Sequence, residues 1–395
     1  MSMQAIFADR AFTPHEEITD AVVLVDGRKI TAVGRRGDVP VSRSVRRFEA
    51  PGLTIVPGFV DVHIHGAAGH DVMEPTGESL ALIAETLALR GTTSFLATTV
   101  TASEDSTCRA TEGIADYVTA PPPAIDSGPP RAEILGIHFE GPFISHVRRG
   151  VHPPEWIALP SIPLLHTFLH ASRGTARILT LAPELPGALD LVAAARDAGL
   201  VVSLGHTDAT YAEAMRAIDC GARHAAHVFN AMRPFAHRES GVLGAVLTSP
   251  SVVCELIADG VHVDPAAMRV LLASKGPGGI VLVSDGTSAT GMPDGTYRLG
   301  TFAVTVSGGV SRGAEGKLAG STLTLDRALR NIMALGVPLP EALAMLTANP
   351  AHVLGLGAVK GALVAGADAD LVLLDAQFEV AGVMTRGAGL VRFLD

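Results

Sequence analysis

The chain has 395 residues, of which 48% are hydrophobic, 18% charged and 4% aromatic, and its formal net charge is −10. That length fits roughly two to three domains, or one α/β barrel of about 250 residues with additions, and buries a core large enough to need no staple. An acidic balance with no basic tract argues against nucleic-acid and anionic-membrane partners, and no apolar run reaches the ~18 residues of a bilayer span.

The N-terminal MSMQAIFADRAF has neither the basic start nor the apolar stretch of a signal peptide, so a cytoplasmic enzyme is expected. Residues 1–52 alternate in the period of strands, as in AVVLVDGRKITAVG, where Asp26-Gly27 is a hairpin signal. Eight short apolar, β-branched runs then follow: LTIVPGFVDV, TTSFLATTV, EILGIHF, ARILTLAP, LVVSLGH, GARHAAHVF, VVCELIAD and GIVLVSD. Between them lie segments of helical spacing at Gly77–Arg90, Ala188–Ala198, Ala209–Cys220 and Pro265–Lys275. Continuously apolar strands alternating with helices are covered on both faces, the pattern of a parallel sheet, and eight such units fit a (β/α)8 TIM-type barrel.

Residues 119–130 hold five prolines and read as a surface loop away from any site. Met292–Ala319 reads as a hairpin insertion after the eighth strand, and Thr322–Leu335 and Pro340–Leu346 as the last helices. Residues 357–395 return to short strands with Gly turns. The expected organisation is therefore a barrel over residues 53–356, with a small β-sandwich-like domain built from residues 1–52 and 357–395. Cys108, Cys220 and Cys254 are odd in number and far apart, so they form neither a disulfide framework nor a zinc knuckle and read as buried small residues.

Polar residues fall where barrel strands end. His63 and His65 are two apart in PGFVDVHIHG and point to one side of a strand, with Asp61 one step deeper. Glu140 follows LGIHF, His206 ends VVSLGH, His227 ends ARHAAHVF, and Asp285 ends GIVLVSD. Taken singly, each has a structural alternative: a salt-bridge carboxylate, a helix cap, a packed histidine. Together they occupy the C-terminal ends of strands one, three, five, six and eight, which face one opening of a barrel, where chemistry is built. The set suits zinc or another divalent transition metal.

Such an ion makes a nucleophile from water at neutral pH, and an adjacent carboxylate moves the proton. Glu140, His206 and His227 make a three-ligand set with an open position, leaving Asp285 as the acid/base. His63 and His65 offer a second position bridged through Glu140, so one or two metals stay open. The four lysines, Lys29, Lys275, Lys317 and Lys360, lie away from strand ends, against a carbamylated-lysine bridge.

PGFVDVHIHG, HFEGPF, SLGHTDAT, AAHVFNAM, IADGVHVD, LVSDG and LAGS together resemble the N-acetylglucosamine-6-phosphate deacetylases of the amidohydrolase superfamily, over nearly the whole chain. The resemblance implies hydrolysis of N-acetyl-D-glucosamine 6-phosphate to D-glucosamine 6-phosphate and acetate. It implies Glu140, His206 and His227 as main ligands, Asp285 as acid/base, and His152 polarising the acetyl carbonyl beside Val151. It also implies a phosphate seat from Asn230, Ala231, Arg238 and His262, with Asp259, Gly260 and Val261 beside it. Leu318, Ala319 and Gly320 would line the substrate side, and Arg238 would reach the partner's site in a homodimer. Some family members replace the His-x-His pair and use one metal; this chain keeps it. A rival reading is another amidohydrolase in which Arg238 meets a substrate carboxylate, and a second rival is a non-catalytic scaffold.

Overall fold

The computed structural model describes residues 3–121 and 129–392. Most of the proline-rich stretch, residues 122–128, therefore lies outside the described residues.

The chain opens with β1 (Gln4–Phe12), β2 (Glu17–Asp26), β3 (Lys29–Arg35) and β4 (Arg46–Pro57). The Asp26-Gly27 turn joins β2 to β3, with Gly27 at φ 56° in the left-handed region. The apolar run LTIVPGFVDV is divided: Leu53–Pro57 completes β4, and β5 (Phe59–Ile64) begins the barrel. Sequence period cannot show this break, because both halves are buried and only Gly58 interrupts them.

The barrel continues through α1 (Gly77–Ala88), β6 (Thr92–Thr99), α2 (Glu104–Thr119), β7 (Glu133–Glu140), α3 (Ile162–Ser172), β8 (Ala176–Leu181), α4 (Ala188–Asp197) and β9 (Val201–Leu204). Then come α5 (Tyr211–Cys220), β10 (His224–Ala225), α6 (Gly241–Thr248), β11 (Val253–Leu256), α7 (Pro265–Lys275) and β12 (Ile280–Leu282). Local signals set the helix ends. Thr210 and Glu213 form a reciprocal capping box on α5, and Asp264 caps α7 with Pro265 as its first residue.

The eight barrel strands are parallel, in sequential order from β5 to β12. The ring closes just past the strand ends, where Asp285 donates its N–H to His63 O (2.9 Å) and His65 to Gly286 O (2.8 Å). A TIM-type barrel is thus the observed architecture. Its sixth strand is far shorter than GARHAAHVF implied, because His227 (φ 27°) and Phe229 (φ 80°) turn the backbone out of the ladder.

The insertion after β12 is a three-stranded antiparallel sheet of β13 (Gly295–Leu299), β14 (Phe302–Ser307) and β15 (Val310–Arg312). Helices α8 (Leu325–Ala334), α9 (Leu339–Leu346) and α10 (Ala348–Val353) follow. Strands β16 (Leu371–Leu374), β17 (Val380–Thr385) and β18 (Ala388–Arg392) then rejoin the first four in one seven-stranded sheet. In that sheet β4 lies between β1, parallel to it, and β16, antiparallel. Ile6, Val23, Ile55, Leu371 and Leu373 share one face of its core, while Val56, Val372 and Leu374 pack into the barrel core.

At the junction of sheet and barrel, buried Lys360 reaches Glu133 (2.5 Å), Asp370 (2.7 Å) and Asp368 (2.9 Å), and Arg386 adds a bond to Glu133 (3.0 Å). Of the cysteines only Cys254 is buried; Cys108 and Cys220 are partly exposed on helix flanks. No helix among the described residues is long and apolar enough to cross a membrane.

Candidate active site

Glu140 sits at the end of β7, almost fully buried, with histidines on both carboxylate oxygens. Its Oε1 lies 3.0 Å from His227 Nε2, 3.1 Å from His206 Nε2 and 3.3 Å from His63 Nε2. Its Oε2 lies 3.2 Å from His152 Nε2 and 3.5 Å from His65 Nε2. Asp285 Oδ1 is 3.1 Å from His65 Nε2 and 3.8 Å from His63 Nε2, on the opposite flank. The six residues expected to converge from distant parts of the chain do so.

The turns that carry these side chains are held in unusual backbone. His206 (φ 48°), His227 (φ 27°), Ala231 (φ 50°) and Asp285 (φ 49°) all adopt positive φ, costly for non-glycine residues. Hydrogen bonds fix each one: Ser145 N–H donates to His206 O (2.9 Å), Asn230 N–H to His227 O (3.0 Å), Thr207 N–H to Ala231 O (3.0 Å) and Ser321 N–H to Asp285 O (2.7 Å). Gly320 is required here, since a Cβ on it would stand 2.8 Å from Asp285 O. Asp208 ties the surrounding loops together, accepting from Arg148 Nε (2.8 Å) and from an Arg233 guanidinium nitrogen (2.9 Å).

Partners of the other ring nitrogens assign the tautomers. His65 donates Nδ1–H to Thr98 O (2.9 Å), His206 to Arg148 O (2.9 Å), and His63 to Glu255 Oε2 (2.8 Å). In neutral rings that leaves three Nε2 lone pairs facing carboxylate lone pairs, and His63 Nε2 has no hydrogen-bond partner. Lone pairs that converge in a buried place need positive charge among them, from added protons or from a cation. The Glu140–His206–His227 separations of 3.0, 3.1 and 3.2 Å match the roughly 3.3 Å edges of a tetrahedral zinc site. His63, His65 and Asp285 form a second group, whose ligand atoms all lie within 4.8 Å of one another. The residues present therefore fit one or two divalent cations.

His152 differs. Thr101 N–H donates to its Nδ1 (3.2 Å), so the neutral ring carries its proton on Nε2 and is a donor into the site rather than a ligand. Burial would lower His63, His65 and His227, yet Glu140 and the neighbouring carboxylates push all three above the usual imidazole value. Burial alone would raise the Glu140 carboxyl, but His63, His206 and His152 hold it well below the usual range. Burial lowers His206 to about 4. Burial also pushes Asp285 up, yet with His63 and His65 protonated the hydrogen bond from His65 Nε2–H and the charges of both rings hold it low.

The pocket above the cluster is lined by Val151, His152, Asn230, Ala231, His262, Leu318 and Gly320 among the expected residues. Five others of the expected residues do not line it. Arg238 is exposed on the 233–239 loop and does not line this pocket. Asp259 turns onto His262 Nδ1 (2.7 Å) and also accepts from Val261 N–H (2.8 Å), so it orients His262 instead of facing the pocket. Gly260 and Val261 form the turn beside it, with Val261 exposed. Ala319 packs behind the wall with Val100, Leu299 and Val304.

Residues that sequence reasoning missed are Val100, Gly150, Leu299 and Phe302 on the wall, and Glu255 beneath the histidines. For Glu255 a signal was present: a lone carboxylate between Cys254 and Leu256 in an apolar run. The wall residues of the insertion carry no such signal. His146, on the same loop as His152, is exposed.

A family model described as the amidohydrolase family matches residues 54–389. The N-acetylglucosamine-6-phosphate deacetylase of Bacillus subtilis (strain 168) is 36% identical over 378 residues, covering 95% of this chain and 94% of that protein. The N-acetylgalactosamine-6-phosphate deacetylase of Escherichia coli O157:H7 is 39% identical over 350 residues, covering 88% and 90%. Among solved structures, an aspartate-to-alanine mutant of the Mycobacterium smegmatis N-acetyl-D-glucosamine-6-phosphate deacetylase, in complex with N-acetyl-D-glucosamine-6-phosphate, superposes with a TM-score of 0.90. It is 37% identical, over 98% of this chain and 99% of that one. The chain belongs to the amidohydrolase family and, within it, to the N-acetylglucosamine-6-phosphate deacetylases.

Proposed function

We infer that the chain hydrolyses the acetamide of N-acetyl-D-glucosamine 6-phosphate to D-glucosamine 6-phosphate and acetate, in amino-sugar catabolism and recycling. The observation that carries this reading is the Glu140 carboxylate shared by histidine Nε2 atoms, with the His152 donor beside it.

Glu140, His206 and His227 would hold one divalent cation, and His63 and His65 with Asp285 a second. Zinc is the cation best matched to imidazole and carboxylate at these separations. When bound, it supplies Lewis acidity that lowers the pKa of water and polarises the acetyl carbonyl. Asp285 takes the proton from the attacking water at Oδ1 and delivers it to the amine nitrogen as the C–N bond breaks. His152 donates Nε2–H to the carbonyl oxygen, where charge develops. Val100, Leu299, Phe302 and Leu318 give the pocket an apolar wall.

Asn230, Ala231 and His262 supply the phosphate seat, with His262 oriented by Asp259. Arg238, exposed in the single chain, completes the same seat in the partner's site of a homodimer, where its planar fork suits phosphate oxygens. The enzyme works in the cytoplasm, where its phosphorylated substrate is available.

Acetate release tests the reading: N-acetylglucosamine 6-phosphate should turn over far faster than N-acetylglucosamine, and equal rates would remove the phosphate seat. The galactosamine relative supports a second reading, so N-acetylgalactosamine 6-phosphate belongs in the same assay. Preference for that sugar would reassign the substrate without changing the chemistry.

A further inference from the structure

Glu255 lies mid-strand in β11, fully buried below the histidine cluster, and the reaction just described does not use it. Its Oε2 accepts two hydrogen bonds that belong to different halves of the site. One comes from His63 Nδ1–H (2.8 Å) and the other from the backbone N–H of His227 (2.9 Å). The other oxygen stands 3.6 Å from His224 Nδ1, and the ion pairs of Glu255 among the described residues are with histidines only. A buried carboxylate without lysine or arginine is costly where an apolar residue would pack.

We propose that Glu255 is a positioning residue for the cation site: one oxygen fixes the tautomer and aim of His63 and, at the same time, the backbone of the His227 turn. The proposal rests on the reading that the cluster above holds divalent cations. With Nδ1–H committed to Glu255, His63 presents an unprotonated Nε2 to the site, 3.3 Å from Glu140 Oε1. A carboxylate behind a ligating histidine also raises the basicity of the ring. His63 and His227 thereby share an anchor below the site as well as Glu140 within it.

His138 adds a control on this assignment. It lies close enough to His63 and Glu255 to be counted with them as a ligand group, but both of its nitrogens are occupied. Nδ1 donates to Val62 O (2.9 Å) and Nε2 accepts from Thr180 Oγ1 (2.7 Å). Glu255 therefore serves the cluster above and is not part of a third cation site.

Zinc alone, titrated into the chelator-stripped full chain in competition with a chromophoric chelator, tests the proposal on wild type, Glu255→Gln, His63→Asn and the double variant. Glu255→Gln should weaken at least one zinc by roughly 10- to 100-fold. On the His63→Asn background it should cost less than on wild type, because only the bond to the His227 backbone is then left to lose. Wild-type zinc affinity in Glu255→Gln overturns the proposal, and so does an equal loss with and without His63. A wild type that takes up no zinc overturns the reading of the site itself, and the positioning role with it. Should Glu255→Gln not fold, nitrogen NMR of the zinc-loaded wild type decides. A His63 protonated on Nδ1 supports the assignment, and one protonated on Nε2 overturns it.

Discussion

Thr101 and His152 meet through one hydrogen bond, from the backbone N–H of Thr101 to Nδ1 of His152 at 3.2 Å, and it leaves Nε2 to face Glu140. His152→Gln should therefore lower kcat by roughly 10²- to 10³-fold, the usual cost of one lost donor at developing charge. Zinc content should be unchanged. Loss of zinc in that variant would make His152 a ligand and the donor role untenable.

Asp285→Asn keeps the shape of the carboxylate and removes its basicity. Turnover should fall by about 10²- to 10⁴-fold, the range for a positioned acid/base. The cation held by Glu140, His206 and His227 should remain, because Asp285 flanks the His65 side. Single-turnover acetate release beside metal analysis checks both halves.

Arg238→Ala should raise KM for the phosphorylated sugar and spare kcat, the pattern of lost uniform binding. If Arg238 serves the neighbouring subunit, mixing Arg238→Ala with Asp285→Asn should recover activity in the hybrid dimer. One hybrid site then has both an intact Asp285 and a partner Arg238. At substrate well below the raised KM, a mixture that stays at the sum of its parents' activities would place Arg238 in its own site or in none.

Lys360→Met leaves Glu133, Asp368 and Asp370 without their shared ammonium. Breaking one side of a buried ion network costs about 3–5 kcal/mol, readable by urea unfolding. Burial pushes the Asp370 carboxyl up even beside Lys360, so without that ammonium it binds a proton more readily folded than unfolded and the deficit should shrink as pH falls. Asp368 runs the other way in the intact protein. Burial alone would push its carboxyl up, but Lys360 and Lys29 hold it below the usual range. Its contribution is full above the ordinary carboxylate range and is lost as pH falls through the lowered value.

Much of the site was legible because barrel geometry converts strand ends into neighbours. His63 and His65 follow a period of two, and Glu140 interrupts an apolar run at its last residue. What could not be read depends on backbone that leaves the ladder. His227 and Asp285 were expected on strands but lie beyond β10 and β12, on turns with positive φ that no period specifies. Leu299 and Phe302 reach the pocket only because the β13–β15 sheet folds back over Val100. The break at Gly58 was hidden because β4 and β5 are both buried strands.

The placement of β4 between β1 and β16 bears on synthesis. A ribosome delivers β1–β4 first, yet the second neighbour of β4 emerges only with Leu371–Leu374, after the whole barrel. Until then a nascent chain carries a long apolar strand with one bare edge, open to pairing with other chains. Truncations that spare every catalytic side chain but stop short of residue 371 should accumulate as aggregates instead of weak enzymes.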